Sequence, residues 1–483
     1  MNILELVIML AFMIIVGIVG FYASKFKPSL DNDITEWSLG GRRFGTFIVW
    51  FLIGGDVYTA YTLIAVPGLA YGEGVLALFA TSYVIMTYPI VFLTMPRLWN
   101  VARKHNFITA GDYVEKAFNS KTLALIVAIV GILAELPYIG LQIFGMNFML
   151  SVTHVPSNIT IILSLLLVMG FTIFNGIRAT ALTAFIKDFF VWAMVLFLII
   201  YIPIHYFGSI GQMFVWYNAH YPTKSVLSAG QISVFATLAF GSAAALFLYP
   251  HAITSVYSAK NAKIIKKNAI ILPIYNIMLL LITLLGFAAL FIDPQLKNPN
   301  MAFPEIISKT FGPVFTAIIG SIIILGSMIP ASIMSIASAN LFTRNIYKNL
   351  INKNISDTTE KLISKISVAV IILLALFTSL AMSPSFIITL QLMAGSWVVQ
   401  LFPLIFVPLF TNRVNKIPAG IATVSGILVT TYMLFLVHFK VAIYKGVWVG
   451  LYGLVVEIIL LLALTFLFQP MSNISLDDYL DSE

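Results

Sequence analysis

The sequence predicts an all-α membrane protein of about 13 transmembrane helices, and three observations carry that expectation. Hydrophobic residues make up 60% of the chain and charged residues 10%, with a mean hydropathy of +1.00. Soluble domains carry about 25% charge, so water is not the main solvent of this surface. Apolar segments bounded by charges or turn residues recur along nearly all of the 483 residues. Lys and Arg gather on alternate sides of those segments.

The segments fall at 3–24, 47–71, 73–98, 122–152, 158–177, 179–207, 230–251, 269–292, 312–343, 362–382, 385–411, 417–438 and 446–468. The first is too long for a signal-peptide core and lacks a convincing cleavage site, so it reads as a helix. With the N-terminus outside, 21 of the 27 Lys and Arg fall in cytoplasmic loops, five in external loops, and Lys187 lies within a span. One missed or invented span would scramble this alternation. The acidic tail, 469–483, is then cytoplasmic, and the expected setting is a prokaryotic plasma membrane.

Several function classes drop out. Zero Cys excludes disulfides, thiolate metal sites and cysteine nucleophiles. The net charge of +8 sits beside apolar segments and not in a basic run interleaved with aromatics, so nucleic acid is not an expected partner. No metal-ligand spacing, nucleophile elbow or phosphate loop is present, so neither an enzyme nor a metal or cofactor is expected. A channel would need a continuous polar pore, whereas the polar groups here cluster at two places.

Those two places are interruptions in the second and seventh segments. One is Leu52-Ile53-Gly54-Gly55-Asp56-Val57-Tyr58-Thr59-Ala60-Tyr61-Thr62, the other Phe240-Gly241-Ser242-Ala243-Ala244. They lie five segments apart, as two five-helix repeats require. Helices broken near the midplane expose backbone groups that a solute site uses and lipid does not tolerate. Each glycine pair taken singly also fits close helix packing. The matched positions favour a site, with half-helix N-termini at Gly54-Gly55 and Gly241-Ser242 offered to an anion.

Trp37-Ser38-Leu39-Gly40-Gly41-Arg42-Arg43, followed by Ala65-Val66-Pro67-Gly68-Leu69-Ala70-Tyr71, resembles the opening signature of the sodium:solute symporter family. Pro250-His251, Ala259-Lys260 and Leu341-Phe342-Thr343-Arg344-Asn345-Ile346-Tyr347 follow in family order, so the resemblance spans about residues 37 to 416. The 54–62 run and Ile329-Pro330-Ala331-Ser332-Ile333-Met334-Ser335 look most like bacterial monocarboxylate uptake permeases. The resemblance implies a LeuT-like core of two inverted repeats, 47–207 and 230–411, working by alternating access. One extra helix, 1–24, precedes the core, and two, within 417–468, follow it.

Departures from the family pattern bear on the coupling ion. Sodium-coupled members hold the ion between carbonyls of the first broken helix and two adjacent hydroxyls on the eighth core helix. Aligned without gaps, that hydroxyl motif falls on Met328-Ile329-Pro330-Ala331, and Ile329 and Pro330 offer no side-chain oxygen to a hard cation. Ser332 and Ser335 are the hydroxyls nearby, so the sodium site reads as degenerate. In the fifth core helix, the position where many relatives carry Asp holds Ala184, and Lys187 stands one turn later. An intramembrane lysine is costly and is functional or paired. One reading puts the Lys187 ammonium in place of the cation, able to release and regain a proton as burial lowers its pKa. The other has it snorkel to the cytoplasmic face or pair with Asp188.

Further candidates follow. Asp56 either accepts a coupling proton or caps a helix end. Tyr58, Thr59, Tyr61 and Thr62 are able to donate to a carboxylate. Tyr138 and Gln142 are four apart on the third core helix, where relatives line the cavity. Glu135, one turn from Tyr138, belongs to the site or to the external mouth. His251 reads first as a structural landmark and second as a proton group. Glu457 reads as structural or oligomeric, and Gln391 and Gln400 as a gate or as packing. The expected activity is uptake of small monocarboxylates of the lactate or pyruvate type, coupled to protons or independent of sodium. Sodium-coupled uptake of another solute such as an amino acid is the alternative. A membrane solute sensor is the reading from another class, and the short tail leaves no room for a signalling domain. Substrate identity, stoichiometry and oligomeric state are not legible.

Overall fold

A backbone in lipid must satisfy its own hydrogen bonds, so apolar sequence of this length folds as helix. The computed structural model describes residues 3–25, 34–55, 57–382, 386–469, 474 and 476–480. Among them, ten helices are long and apolar enough to cross a membrane, and three shorter apolar helices accompany them: Thr46–Gly55, Ser157–Ile173 and Val449–Thr465. Each predicted segment contains a helix, and the fold is all-α apart from one hairpin.

The chain opens with α1 (Ile3–Lys25) and a short α2 (Ile34–Leu39). Then come α3 (Thr46–Gly55), a π-helical turn (Tyr61–Ala65) and α4 (Val66–Glu73). Next are α5 (Phe79–His105), α6 (Ala110–Phe118), α7 (Lys121–Ser151) and α8 (Ser157–Phe207). α8 is broken at Gly176, whose φ of 64° and ψ of −176° only glycine takes without strain. This break falls where two predicted segments meet.

The second half starts with α9 (Ile210–His220), α10 (Ala229–Ala245), α11 (Pro250–Tyr257), α12 (Ala262–Tyr275) and α13 (Ile277–Ile292). It continues with α14 (Ala302–Thr310), α15 (Pro313–Leu341), α16 (Asp357–Met382), α17 (Ile388–Val398) and α18 (Phe402–Phe406). Last are α19 (Lys416–Leu436), strands β1 (Ile443–Tyr444) and β2 (Val447–Trp448), and α20 (Val449–Thr465). The strands pair antiparallel, Ile443 opposite Trp448 and Tyr444 opposite Val447.

Burial sorts the helices into centre and rim. The most apolar stretches of the α15 and α17 regions are 83% buried, whereas those of α1 and α19 are 28% and 33% buried. α15 packs against α7, α8 and α1. Lipid tails give no hydrophobic drive for helix association, so small residues that allow close approach matter most. A Cβ on Gly140 of α7 would lie 1.6 Å from Ser379 Oγ on α16, and one on Gly145 would lie 2.3 Å from Ala60 Cβ.

The motifs that stand out in the sequence meet at one end of the bundle. Gly40, Gly41 and Arg42 all have positive φ, which suits two glycines in a row. The turn points the Arg42 guanidinium at the carbonyls of Tyr257 and Phe107. Burial pulls Arg42 down to about 10, opposed by nearby Tyr257, and leaves it charged at neutral pH. Phe44 exchanges backbone hydrogen bonds with Ser258 (3.2 Å) and Lys260 (2.9 Å), and Trp99 Nε1 donates to Ala259 O at 2.9 Å. Arg344 bridges Asp112 on α6 (3.2 Å) and Glu360 on α16 (3.1 Å), and Lys348 joins Glu360 at 2.9 Å. These landmarks fasten loops and helix ends together.

The expected break at Gly241-Ser242 is displaced. α10 runs unbroken through both residues to Ala245, a 3₁₀ turn covers Leu246–Leu248, and Tyr249 is extended (φ −60°, ψ 139°) before Pro250 opens α11. Proline disfavours helix at the residue before it and suits the first position of a helix, so Pro250 fits the observed break. Gly241 instead faces Trp448, whose indole Nε1 donates to Leu392 O at 3.1 Å. A Cβ on Gly241 would lie 2.1 Å from the Trp448 ring. Gly241→Ala is therefore expected to destabilise by about 1–3 kcal/mol through overpacking, read as a lower melting midpoint in detergent. Trp448→Phe in the same chain should recover part of the loss.

Candidate functional site

The site is built where the second and seventh segments lose their helical hydrogen bonds. α3 ends at Gly55, and residues 57–59 turn before helix resumes at Ala60. Val57 N–H reaches back to Gly54 O and Tyr58 N–H to Gly55 O, both at 3.1 Å. The C-terminal end of α3 thus presents carbonyls, the negative end of a helix dipole. Lys187 meets them: its Nζ donates to Gly55 O at 2.5 Å and to Tyr58 O at 3.1 Å. Asp188 Oδ1 lies 3.1 Å from the same nitrogen, and Tyr275 donates to Asp188 Oδ2 at 2.7 Å. Both charged side chains are at most 1% exposed, so Lys187 does not snorkel. Gly55 makes the approach possible, since a Cβ there would lie 2.7 Å from Asp188 Oδ2.

The resuming half-helix presents N–H groups, and α7 caps the first of them. Gln142 Oε1 accepts from Ala60 N–H at 2.9 Å, while its Nε2 is buried with no protein partner. The hydroxyls of the break are mostly committed to its own repair. Tyr58 donates to Tyr275 O, Thr62 to Val57 O, and Thr59 Oγ1 accepts from Tyr61 N–H at 3.0 Å. The Tyr61 ring packs edge-on to Tyr83, its hydroxyl buried.

The second break is held by α7 as well. Glu135 Oε1 accepts from His251 N–H at 3.1 Å and lies 2.6 Å from His251 Nδ1. The Tyr138 ring sits 5.7 Å from the imidazole and 5.4 Å from Tyr249, and Tyr249 donates to Gln391 O at 3.1 Å. Thr87 on α5 donates to Ala243 O at 2.9 Å, near the end of α10. Between the breaks lies a void of about 10 Å³, lined by Ile53, Val57, Tyr88, Phe247 and His251 among others. That is room for about one water, so the space is closed to a solute.

Of the residues singled out from the sequence, Gly54, Gly55, Tyr58, Thr59, Tyr61, Thr62, Gln142 and Lys187 come together around the first break, and Tyr138 lies at the second. Gly241 lies at the Trp448 contact, and Ser242 is buried beside it with no protein partner for its hydroxyl. Asp56 lies outside the described residues. Ile329 and Pro330 are buried in α15, and Ser332 Oγ lies 3.3 Å from Thr180 Oγ1 on α8. Tyr275 was not anticipated, and no local pattern marks it. The Glu135–His251 contact joins two residues each noticed alone.

Comparison with known proteins bears on the same features. A profile of the sodium:solute symporter family matches residues 37–426. A monocarboxylate transport permease protein of Rhizobium johnstonii is 38% identical over 412 residues, 84% of each chain. An uncharacterized symporter of Bacillus subtilis, YodF, is 37% identical over 95% of this chain and 93% of its own. Among solved structures, a Na+-coupled sialic acid symporter, substrate-bound and outward-open, superposes with a TM-score of 0.79 at 16% identity. The match covers 98% of this chain and 99% of that one. The nucleobase-cation-symport-1 transporter Mhp1 gives a TM-score of 0.56 over 94% of this chain and all of its own, at 12% identity. The structural matches establish a LeuT-like fold, and the sequence matches establish that this chain belongs to the sodium:solute symporter family.

Proposed function

We propose that this protein takes up small monocarboxylates of the lactate or pyruvate type, independently of sodium, with the Lys187 ammonium standing where the family's ion would. The observation that carries the reading is the contact of Lys187 Nζ with Gly55 O and Tyr58 O. Carbonyls at a helix C-terminus attract a cation, and a covalently held ammonium supplies one permanently. By the family resemblance, Ile329 and Pro330 stand where sodium-coupled members carry two adjacent hydroxyls, and neither offers a side-chain oxygen to a hard cation. The substrate class rests on the Rhizobium johnstonii relative and on donors suited to a carboxylate, Gln142 Nε2 and the Tyr61 hydroxyl. In this reading the two repeats, 47–207 and 230–411, rock about the closed void, with the N-terminus outside and the tail in the cytoplasm of the plasma membrane.

The sodium-coupled alternative draws on one observation, the facing hydroxyls of Thr180 and Ser332, 3.3 Å apart between α8 and α15. Thr180 Oγ1 donates to Gly176 O at 2.8 Å, which leaves its lone pairs available to an ion.

Uptake into proteoliposomes, with proton and sodium gradients imposed separately, distinguishes the two. Wild type should accumulate lactate or pyruvate under an inward proton gradient and ignore sodium. Lys187→Ala should lose that accumulation, and Lys187→Ala with Asp188→Asn controls for the buried carboxylate left unpaired. Sodium-driven uptake that survives Lys187→Ala would sink the surrogate role. Gln142→Leu removes the Ala60 cap and the orphaned donor together. It should raise KM for lactate by roughly tenfold, the effect of losing about 1–2 kcal/mol of hydrogen bonding, with a smaller change in maximal rate.

A further inference from the structure

We infer that Glu135 carries the transported proton, and that protonating it is what admits the substrate carboxylate to the N-terminus of α11. The inference rests on the monocarboxylate reading above and adds the coupling group to it. Three observations carry it. First, α11 begins with Pro250, which has no N–H, so His251 N–H is the first donor at the positive end of that half-helix. Second, Glu135 occupies that end, with Oε1 at 3.1 Å from His251 N and 2.6 Å from His251 Nδ1. Third, Glu135 is fully buried, and its Oε2 has no protein partner.

A substrate anion drawn to α11 therefore meets an anion already in place. Two carboxylates in one apolar site do not both stay ionised, and a proton shared into the site resolves the conflict. A proton from outside binds Glu135 and makes it a neutral acid. The imidazole N–H and the backbone N–H of His251 pass from Glu135 to the substrate carboxylate. One proton and one monoanion enter together, so the site gains no net charge. On the inner side the monocarboxylate leaves, Glu135 gives its proton to water, and the Glu135–His251 contact reforms.

Among the described residues, the elements packed on this pair bring no second carboxylate or basic group against it; Asp56, which precedes Val57 of the void lining, lies outside them. α3, α15 and α17 bring no titratable side chain. α7 adds Tyr138, the break adds Tyr249, and α5 adds Tyr83 and Tyr88, phenols that stay neutral at physiological pH. On α2, Glu36 is paired with Arg178 at 2.6 Å. α16 carries its charges at 357–365 and meets α7 at Gly140 through Ser379. Lys187 is already engaged by Gly55 O, Tyr58 O and Asp188, so it serves as a fixed charge while Glu135 cycles.

The test measures lactate affinity and lactate exchange in proteoliposomes across pH, for wild type, Glu135→Gln and Glu135→Asp. Wild-type affinity should fall by about tenfold per pH unit over the range in which the coupled proton is lost. Glu135→Gln, whose amide stands in for the protonated acid, should exchange lactate at a rate that no longer varies with pH. It should accumulate none under an imposed proton gradient. Proton-driven accumulation by Glu135→Gln equal to wild type overturns the inference. Should that variant fail to reach the membrane, Glu135→Asp decides: a displaced pH midpoint supports the inference, and an unmoved one overturns it. Wild type that takes up no monocarboxylate at any pH overturns the substrate reading. Wild-type uptake with pH-independent affinity overturns this inference alone.

Discussion

The constraint on which the rest depends is the need to satisfy backbone groups where two helices stop inside an apolar bundle. A buried N–H or C=O without a partner costs about 1–3 kcal/mol, and water is scarce in so closed a space. Three side chains meet that need, each with the sign the helix end calls for. Lys187 places a positive charge on the carbonyls ending α3. Gln142 and Glu135, seven residues apart on α7, place oxygens on the N–H groups of Ala60 and His251. One face of α7 therefore governs both breaks, and a movement of α7 is felt at both.

A held ammonium differs from a bound ion in what it allows. A sodium ion that binds and leaves changes the charge at the first break during a cycle, and that change is a source of coupling. Lys187 with Asp188 forms a pair that is neutral as a whole and fully buried. Removing one member would strand the other charge at a cost of about 3–5 kcal/mol, so the pair resists separation. On the proposed role of Lys187, the energy source lies with another titrating or ion-binding group. The same pair stiffens the end of α3 through Tyr275, which spans from Asp188 to the carbonyl that Tyr58 reaches.

Helices, spans and the first break were legible because each leaves a local mark: apolar length, basic flanks, and Gly-Gly beside polar residues in an apolar run. The second break was misplaced because glycine serves two ends in membranes. At Gly55 it admits Lys187 and Asp188, whereas at Gly241 it admits the Trp448 ring while the helix runs on. Only the partner, 207 positions away in the chain, distinguishes the two uses, and no local pattern encodes it. Pro250 was the better sign, since proline suits the first position of a helix, although α7 and α15 also carry prolines in their interiors. Tyr275 and the union of Glu135 with His251 were invisible for the same reason, being contacts across helices.

The two buried acid–base pairs differ in what faces each carboxylate. Tyr275 donates to Asp188 Oδ2 at 2.7 Å, and Lys187 Nζ lies 3.1 Å from Oδ1 as an ion-pair contact. Glu135 is contacted on one oxygen and keeps the other unpartnered among apolar and phenolic neighbours. Asp188 has an ammonium beside it, whereas Glu135 has an imidazole and one backbone N–H. A solute anion adds one further negative charge near the second break and nothing to offset it. A carboxylate at the head of α11 would meet that charge directly, and this placement is what the inferred role of Glu135 rests on.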